Sequence, residues 1–503
     1  MEINQMIAEL LSDPQKLLQK QPFVRGDEPV APYSSPTTVE IGQTVTACLP
    51  RYRYVQISQE QYLRELDPHS HDVLFDANIP SIWVKCEKGN YREIQFSKMA
   101  VPFQQNIKNK QLLHLTGNKM QFTLINTDPT EQQSRDFITF KQYWDLRNQD
   151  GMKTKMVDAA LSCGDAGLLY YFDSEKCIKS RLLWFKDGFV LCPHNDQNGD
   201  RILESVYYRK DNVEYIDSYD KTYMYRYTRD LTSESAGNDG WVWHEPVSHG
   251  FPEIPLITKR EQVAWDKVQS IITSYEILYN VFNAIQRRQG WGILYVKGKF
   301  KDTAQRIAGS TILNDTSLEG KGDAKYLTPP NPQGLIDTLQ LLLDTIQLGS
   351  STTFLLPKDV KTGGDISGIT IQLVQSMDIE NALQKVIGWQ NVADKMVRLF
   401  KYGLSVELVD KGIQPLAITD FSNLNITGSF KVWKPMNDYE YNQMLTILTG
   451  AGILSKETGI QKNTESAPDE MSRIMAQEQK QTEKTLSLQQ SQADTYNVQN
   501  TEE

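Results

Sequence analysis

Three segments in the second half of the chain carry apolar residues at helical spacing. Between Lys259 and Arg288 there is no proline or glycine, and apolar residues recur at steps of three and four. This period predicts one long amphipathic helix of about 45 Å. Residues 333–348 and a stretch from Ser367 to about Leu404 show the same period. The first apolar stripe consists of Ala264, Val268, Ile271, Ile272, Tyr275, Leu278, Tyr279, Phe282 and Ile285.

The first half of the chain instead contains runs of residues that favour strands. Residues 81–86 and 91–96 flank the Gly89-Asn90 pair and predict a hairpin. Residues 140–172 predict a helix that leads into a buried strand. Strand-like runs separated by turn residues then follow between 182 and 243, which predicts an antiparallel meander.

Tyr223, Tyr225 and Tyr227 alternate with Met224 and Arg226, so the three rings share one face of a strand. Aromatic residues interleaved with basic ones can form a stacking platform for single-stranded nucleic acid. An ordinary antiparallel sheet explains the same pattern and is the preferred interpretation.

Proline and glycine mark the shorter and irregular elements around the helices. Residues 349–366 contain Pro357 and the Gly363-Gly364 pair, which exclude regular structure there. The other predicted elements are an N-terminal helix broken at Pro14, a strand–helix–strand unit at 290–332 with its helix at 302–309, a strand at 424–434, and helices at 437–449 and 468–485. The chain is therefore expected to have an α+β fold.

The composition favours an elongated subunit over a compact enzyme. Hydrophobic residues make up 39% of the 503 residues, and the mean hydropathy is -0.48. Apolar stripes on long helices could be buried against further copies of the chain. The sequence contains no run of about 20 apolar residues and no basic N-terminal segment, so neither a membrane span nor a signal peptide is expected. The five cysteines form no C-x-x-C pair, which favours reduced thiols over a disulfide framework or zinc site.

Motifs of common enzymes are missing from the sequence. The histidines of HEPVSH at 244–249 are five residues apart with Pro246 between them, unlike a zinc protease helix. Gly320-Lys321 is followed by Gly322 and therefore lacks the Ser or Thr of a phosphate-binding loop. We expect no enzymatic activity, no cofactor and no metal. A two-metal nuclease assembled from distant acids is the less favoured alternative.

Three stretches resemble the portal proteins of tailed double-stranded DNA bacteriophages. HGFPEIPLI at 249–257 precedes the first long helix, as a strand precedes the stem in that family. KTGGDISGITIQLVQSMDIENALQKVI at 361–387 is similar to the family's glycine-rich loop opening onto a helix. GAGILSKETGIQKN at 450–463 and the acidic segment after it resemble the family's C-terminal turn and helix.

The resemblance implies a division of the chain into the parts of a portal subunit. These are a wing at 1–255, a first stem helix at 256–289, a clip at 290–332, a second stem helix at 333–348, a channel loop at 349–366, a wing helix and return strand at 367–436, and a crown with a flexible tail at 437–503.

The resemblance also implies a function. Portal subunits form a closed ring, normally a dodecamer, at one capsid vertex. DNA is packaged, retained and ejected through its channel. The implied partners are further copies of the chain, double-stranded DNA, the terminase large subunit, the head–tail adaptor, and the major capsid and scaffolding proteins. The protein would be made in the host cytoplasm and reside in the virion. Another head–tail structural protein, such as an adaptor or capsid component, is the alternative.

Charge fits a channel that must not grip its DNA. The formal net charge is -10 and the pI is about 5.3, whereas an ordinary DNA-binding domain has a basic footprint. Each phosphate neutralised by Lys or Arg adds affinity, so a sliding channel should contain few such contacts. Lys358 and Lys361 are the candidates for transient phosphate contact, balanced by Asp359 and Asp365. The alternative is that these four charged residues only solvate the tip of the loop. Ser350 and Thr352 belong to the same predicted channel loop.

Two further sets of residues are candidates for contacts with other proteins. The clip segment has six cations against four anions, Asp302, Asp315, Glu319 and Asp323, and is therefore net +2. The clip cations are candidates for docking acidic partners or DNA, and an ordinary solvated surface is the alternative. They are Lys297, Lys299, Lys301, Arg306, Lys321 and Lys325. The residues expected at the interface between stem helices of neighbouring subunits are Val268, Ile271, Ile272, Tyr275, Leu278 and Phe282.

Overall fold

A computed structural model shows a chain of mixed helix and strand, as the sequence predicts. It divides into two compact units, residues 1–356 with 377–433, and residues 357–376 with 434–503. The structure describes residues 3–29, 52–76, 82–85, 91–94, 97–126, 129–232, 240–289, 293–297, 305–307, 310–312, 323–327, 333–354, 372–411, 424–435, 438–462, 473–477, 479–481 and 484–485.

The helices are numbered in chain order. They are α1 (Ile3–Leu11), α2 (Pro14–Leu17), α3 (Gln59–Leu66), α4 (Phe103–Thr116), α5 (Glu131–Leu146), α6 (Gln149–Cys163), α7 (Gln269–Gln289), α8 (Gln333–Ser350), α9 (Ser376–Asp410), α10 (Asp438–Gly450) and α11 (Lys456–Lys462). Short 3-10 turns occur at Pro68–Ser70, Asp72–Leu74, Phe185–Asp187 and Asp266–Val268.

The strands are also numbered in chain order. They are β1 (Phe23–Pro29), β2 (Tyr52–Ile57), β3 (Ile82–Lys85), β4 (Tyr91–Ile94), β5 (Gln121–Leu124), β6 (Asp165–Phe172), β7 (Ile178–Leu183), β8 (Val190–Asn195), β9 (Arg201–Lys210), β10 (Val213–Tyr219), β11 (Tyr223–Asp230), β12 (Val242–Trp243), β13 (Val247–Ser248), β14 (Leu256–Arg260), β15 (Ile293–Lys297), β16 (Gln305–Ile307), β17 (Ser310–Ile312), β18 (Asp323–Leu327) and β19 (Ile426–Ser429).

The predicted meander is confirmed as an antiparallel sheet in the order β12-β11-β10-β9-β8, with β13 also pairing with β11. Helices α1 and α2 cover one face of this sheet, where Leu17 is fully buried against Leu203 and Ile216. Tyr227 lies in the same cluster and Tyr225 packs against it, so two of the three aligned tyrosines cover an intramolecular core. This arrangement agrees with the ordinary-sheet interpretation.

The main core of the first unit lies between α4, α5, α6, β6 and α9. Gly164 ends α6 with φ +83, a left-handed conformation that suits glycine, and the chain then enters β6. Trp144 of α5 packs edge-on against Phe400 of α9, with 5.3 Å between the ring centroids. Both side chains are almost completely buried, so α9 is held along its length by this core.

The first long helix begins later than its apolar pattern predicts. It starts at Gln269, not at Lys259, while its end at Gln289 agrees with the prediction. Residues 256–260 form strand β14, which pairs with β6 from Leu256–Leu169 to Arg260–Asp165. Leu256 and Ile257 are buried, so this long-range pairing overrides the local helical period. The predicted first stem helix at 256–289 therefore includes a strand.

The other helical predictions are mostly confirmed. Helix α8 spans Gln333–Ser350, two residues beyond the predicted end. Helix α9 runs unbroken through Gly388 and continues to Asp410, beyond the predicted end near Leu404; its predicted start at Ser367 lies outside the described residues. The short helix predicted at 302–309 is wrong, because Gln305–Ile307 is a strand paired with Ser310–Ile312.

The second unit contains α10 and α11, in good agreement with the helix predicted at 437–449. Ser455 begins α11 by accepting the main-chain N–H of Thr458 at 3.2 Å. Leu445 is buried, and Gln372 donates a hydrogen bond to the carbonyl of Pro435 at 2.9 Å. Residues 473–477 are helical, within the helix predicted at 468–485.

Candidate functional site

The predicted channel loop leaves the C-terminal end of α8. Its charged candidates Lys358, Asp359, Lys361 and Asp365 lie outside the described residues. Residues 351–354 are described, and they form the base of the loop. The geometry of this base shows how the loop is attached to the rest of the subunit.

The first loop residues turn back onto α8 and become buried. Ser351 has φ 49, a left-handed conformation that ends the helix, and the N–H of Thr352 donates to the carbonyl of Gln347 at 3.0 Å. The side chain of Gln111, from α4, donates to the carbonyl of Ser350 at 3.1 Å. Ser350 is 5% exposed and Thr352 is 0% exposed. These two residues are therefore placed inside the subunit, and we correct the prediction of an irregular loop at Ser350, which is the last residue of α8.

A lysine and an aspartate hold the next residue from two other helices. Asp378 of α9 accepts the main-chain N–H of Thr353, and its carboxylate lies 3.3 Å from the ammonium of Lys110 on α4. The same ammonium donates to the carbonyl of Thr353. Asp378 is 4% exposed. Burial lowers the pKa of Lys110, although the charge and hydrogen bond of Asp378 oppose this shift.

A second partly buried lysine extends this attachment along α9. Lys385 donates to the side-chain carbonyl of Gln111 at 3.0 Å, and Gln111 in turn holds Ser350. Burial lowers the pKa of Lys385, with the charge of Glu261 acting in the opposite direction. Phe354 packs against Phe103 of α4, with ring centroids 5.7 Å apart. Helices α4, α8 and α9 therefore fix the loop base together, and we refer to Lys110, Gln111, Thr353, Asp378 and Lys385 as the loop anchor.

The sequence analysis missed the loop anchor. Its residues are spread over three separate segments, and only their polar character at helix positions next to core residues could have drawn attention to them. Gln111 is 6% exposed and follows Ile107 by one helical turn, so it lies on the buried face of α4, which also includes the polar side chains of Gln104 and His114. A helical period identifies the buried face of a helix but does not identify the segment that packs against that face.

The stripe on α7 already has partners within the chain. Val268 and Ile272 are 0% exposed and pack with Phe103, Ile107 and Ile346 in one cluster. Ile271 and Tyr275 are partly buried against the same cluster. Leu278 and Phe282 are partly exposed and lie nearer the end of the helix. A subunit interface on this stripe remains a prediction, and Leu278 and Phe282 are members of it that lie outside the internal cluster.

The opposite face of α7 is less open to solvent than its polar residues suggest. Glu276 and Asn280 are each 3% exposed. The carboxylate of Glu276 accepts the N–H of Val101 at 2.8 Å, and Asn280 exchanges two hydrogen bonds with the main chain of Met99 at 2.8 and 2.7 Å. The segment before α4 therefore covers this part of the helix.

The clip candidates lie on or between two short strand pairs. Lys297 is opposite Asp323 and Lys325 is opposite Tyr295 in the β15–β18 pair. Arg306 is opposite Thr311 in the β16–β17 pair. The other three cations, Lys299, Lys301 and Lys321, lie outside the described residues.

The two histidines of the HEPVSH segment have hydrogen-bond partners from different parts of the structure. His244 contacts the hydroxyl of Thr228 at 2.8 Å, and His249 contacts the carbonyl of Asp220 at 3.1 Å. Within the described ranges, no three His, Cys, Asp or Glu side chains are grouped so that they could hold a metal ion. No helix in that part of the chain is both long and apolar enough to cross a membrane.

Comparison with known proteins gives one family. Residues 52–485 match the family described as phage portal protein, SPP1 Gp6-like. No curated protein matches the chain. The matched range includes the two packed helices α7 and α8, the strand pairs between them, the loop anchor and α9.

Proposed function

The chain belongs to the SPP1 Gp6-like family of phage portal proteins, and from this premise we propose that its copies close into a ring around a channel for double-stranded DNA. The ring, a dodecamer in this proposal, occupies one vertex of the capsid. The genome enters, is retained and leaves through it. The role is structural, and the chain catalyses no reaction in it.

The loop anchor supports this proposal independently of the family match. A loop that meets moving DNA must be attached firmly enough to resist being pulled from the wall of the channel. Thr353 is held through both its N–H and its carbonyl, by Asp378 and Lys110, immediately before the predicted loop continues. Charged hydrogen bonds that are shielded from water are stronger than neutral bonds on a surface. The attachment point therefore stays fixed whatever conformation the rest of the loop adopts.

The overall charge supports a channel that lets DNA slide. A subunit with a net charge of -10 repels the phosphate backbone overall. We propose that Lys358 and Lys361 make the transient phosphate contacts, with Asp359 and Asp365 limiting their strength. Binding that is weak at every step allows both entry and exit, as in ion pores.

Subunit contacts in the proposed ring involve the exposed parts of the stem helices. Because Val268 and Ile272 are used inside the chain, we propose that Leu278 and Phe282 meet the neighbouring subunit. Leu341 and Leu348 on α8 are 65% and 70% exposed and add apolar surface to the same pair of helices. Head-to-tail contacts of this kind close into a ring with one type of interface.

The remaining partners follow from the proposed division of the subunit. The clip, with its net charge of +2, docks the terminase large subunit during packaging and then the head–tail adaptor. The wing and crown contact the major capsid and scaffolding proteins. Assembly takes place in the host cytoplasm, and the finished ring remains in the virion.

Electron microscopy of the purified protein in negative stain tests the ring directly. We expect class averages of rings with a central hole and about twelve subunits. If the chain alone remains monomeric, it should be coexpressed with its capsid and scaffolding proteins. Compact dimers, filaments, or monomers even under coexpression would contradict the proposal and favour an adaptor or capsid component.

A further inference from the structure

His71 lies buried between two hydrogen-bond acceptors. Its Nδ1 atom is 2.8 Å from Oε1 of Glu276 on α7, and its Nε2 atom is 2.8 Å from the main-chain carbonyl of Glu65 on α3. His71 is 5% exposed and Glu276 is 3% exposed, so water does not easily replace either contact. The Oε1 atom of Glu276 also accepts the N–H of Val101 at 2.8 Å.

These two contacts determine the protonation state of the ring. A neutral imidazole has one N–H donor and one nitrogen that can only accept. A main-chain carbonyl never donates, and a carboxylate that accepts a backbone N–H is suited to its ionised form. Both ring nitrogens of His71 must therefore carry a proton, which makes the ring a positively charged imidazolium.

We propose that the His71 imidazolium is a clasp that joins residues 67–75 to helix α7, and that loss of its proton at alkaline pH loosens this attachment. The neutral ring can donate to Glu276 or to Glu65 but not to both. One of the two acceptors then loses its hydrogen bond with the ring, which is unfavourable. The hydrogen bond from the N–H of Val101 to Glu276 does not depend on the proton of His71 and therefore remains. We expect α7 to loosen locally and not to detach.

Other charged groups surround the clasp. Arg25 of β1 is bonded to both carboxylate oxygens of Glu65, at 2.8 and 2.7 Å, and lies 2.9 Å from Asp266. Because Glu65 and Asp266 neutralise Arg25, the carboxylate of Glu276 pairs with His71 and not with Arg25. The further titratable groups that line the adjoining cleft or the turn are Glu60 and Arg64 on α3, Asp67, His69 and Asp72 on the turns, and Lys267 before α7.

The surroundings favour the charged ring at neutral pH. Burial by itself would lower the pKa of His71, but the hydrogen bond and charge of Glu276, with the carbonyl of Glu65 and the charge of Asp67, outweigh it and raise the pKa above 6.5. A raised pKa means that the folded state binds the proton more tightly than the unfolded state. The stabilisation is therefore complete below about pH 6.5 and is lost as the pH rises through the folded-state value.

Hydrogen–deuterium exchange of the full-length protein, followed by mass spectrometry, tests the clasp. Rates at about pH 6 and about pH 9, on either side of an ordinary or raised histidine pKa, are corrected for intrinsic exchange. We expect amides of residues 276–283 to open about tenfold more often at the higher pH, because one acceptor of the clasp loses its hydrogen bond there. Peptides from α6, which does not contact the clasp, should change little and serve as the internal reference.

Matched variants separate the clasp from general effects of pH. His71→Gln should open α7 already at the lower pH and show little further pH dependence. His69→Gln, in the same turn but exposed, should behave as the wild type. Equal protection of α7 at both pH values in the wild type, or equal behaviour of the two variants, would overturn the proposal. If His71→Gln does not fold, the exchange of α7 relative to α6 at the two pH values in the wild type still tests the proposal. None of these outcomes depends on ring formation.

Discussion

The carboxylate of Asp378 accepts the main-chain N–H of Thr353 at 3.2 and 3.3 Å, and so ties the start of α9 to the base of the predicted loop. Asp378→Ala removes this acceptor and leaves the partly buried ammonium of Lys110 without its carboxylate. Since hydrogen bonds to charged groups contribute about 1.5–3 kcal/mol each, we expect the free energy of unfolding to fall by about 2 kcal/mol. Urea unfolding of the unassembled subunit measures this change.

A double-mutant cycle with Lys110→Met tests whether these two residues act together. If they do, the combined Lys110→Met and Asp378→Ala protein should lose less stability than the sum of the two single losses. Additive losses would show that Asp378 and Lys110 stabilise the subunit independently.

Deletion of residues 357–364 should leave ring assembly intact and impair DNA packaging or retention. The deletion begins after Thr353 and Phe354, so the loop anchor and its contacts remain in place. Assembly is followed by electron microscopy, and packaging by the amount of nuclease-resistant DNA in particles. Normal packaging would contradict the assignment of these residues to the channel loop.

Leu278→Asp should prevent ring assembly while the subunit still folds. Leu278 is only partly buried within the chain, so a charge there mainly affects contact with a neighbour. Size-exclusion chromatography should show folded monomers, with a circular dichroism spectrum like that of the wild type. Wild-type rings would show that Leu278 lies outside the interface.

Ile272→Asp is the matched contrast on the same helix. Ile272 is 0% exposed and belongs to the cluster with Phe103 and Ile346, so a charge there must be buried inside the subunit. Burying an unpaired charge is strongly unfavourable, and we expect loss of soluble folded protein. If this variant folds and only fails to assemble, Ile272 belongs to the interface and not to the internal core.

Glu407→Gln should destabilise the subunit in a pH-dependent way. The 1% exposed side chain of Glu407 binds Arg147 at 2.6 Å, Lys411 at 2.7 Å and the N–H of Ile178 at 2.9 Å. Burial would raise the pKa of Glu407, but these three partners outweigh it and hold the pKa below 4.5. The stabilisation is therefore present above about pH 4.5 and is lost as the pH falls through the folded-state value.

Thermal unfolding of both proteins across this range measures the difference. Near neutral pH we expect Glu407→Gln to lower the free energy of unfolding by about 2 kcal/mol, since the charged acceptor becomes neutral. The difference from the wild type should shrink in acid. A constant difference at every pH would mean that the variant acts through packing alone.

Local sequence patterns predict the elements that form regardless of which other element they pack against. The periods of α7, α8 and α9 identify three helices, because each buries one side against whatever lies beside it. The start of α7 is different. The segment without proline or glycine begins at Lys259, yet Lys259 and Arg260 belong to β14 and pair with β6 more than ninety residues earlier in the chain. The helical period does not contain that pairing, and only the resemblance of residues 249–257 to the family's strand before the stem indicated a strand there.

The candidate site shows the same limit. The glycines and Pro357 identify an irregular loop after α8. What holds the loop is a set of polar residues from α4 and α9, such as Lys110 and Asp378, and each of them looks like an ordinary exposed residue in the sequence. Glu276 and Asn280 are a further example, because their burial depends on a segment that a helical period cannot reveal.

Helix α9 connects two attachments that are far apart. Asp378 near its start holds the loop base, and Glu407 near its end holds Arg147 and the first residue of β7. At 1.5 Å per residue the two carboxylates are separated by about 44 Å along an unbroken helix. Trp389 and Phe400 are fully buried between them, so the helix cannot slide without repacking the core. The core packed along α9 therefore shares any load that is applied to the loop base through Asp378.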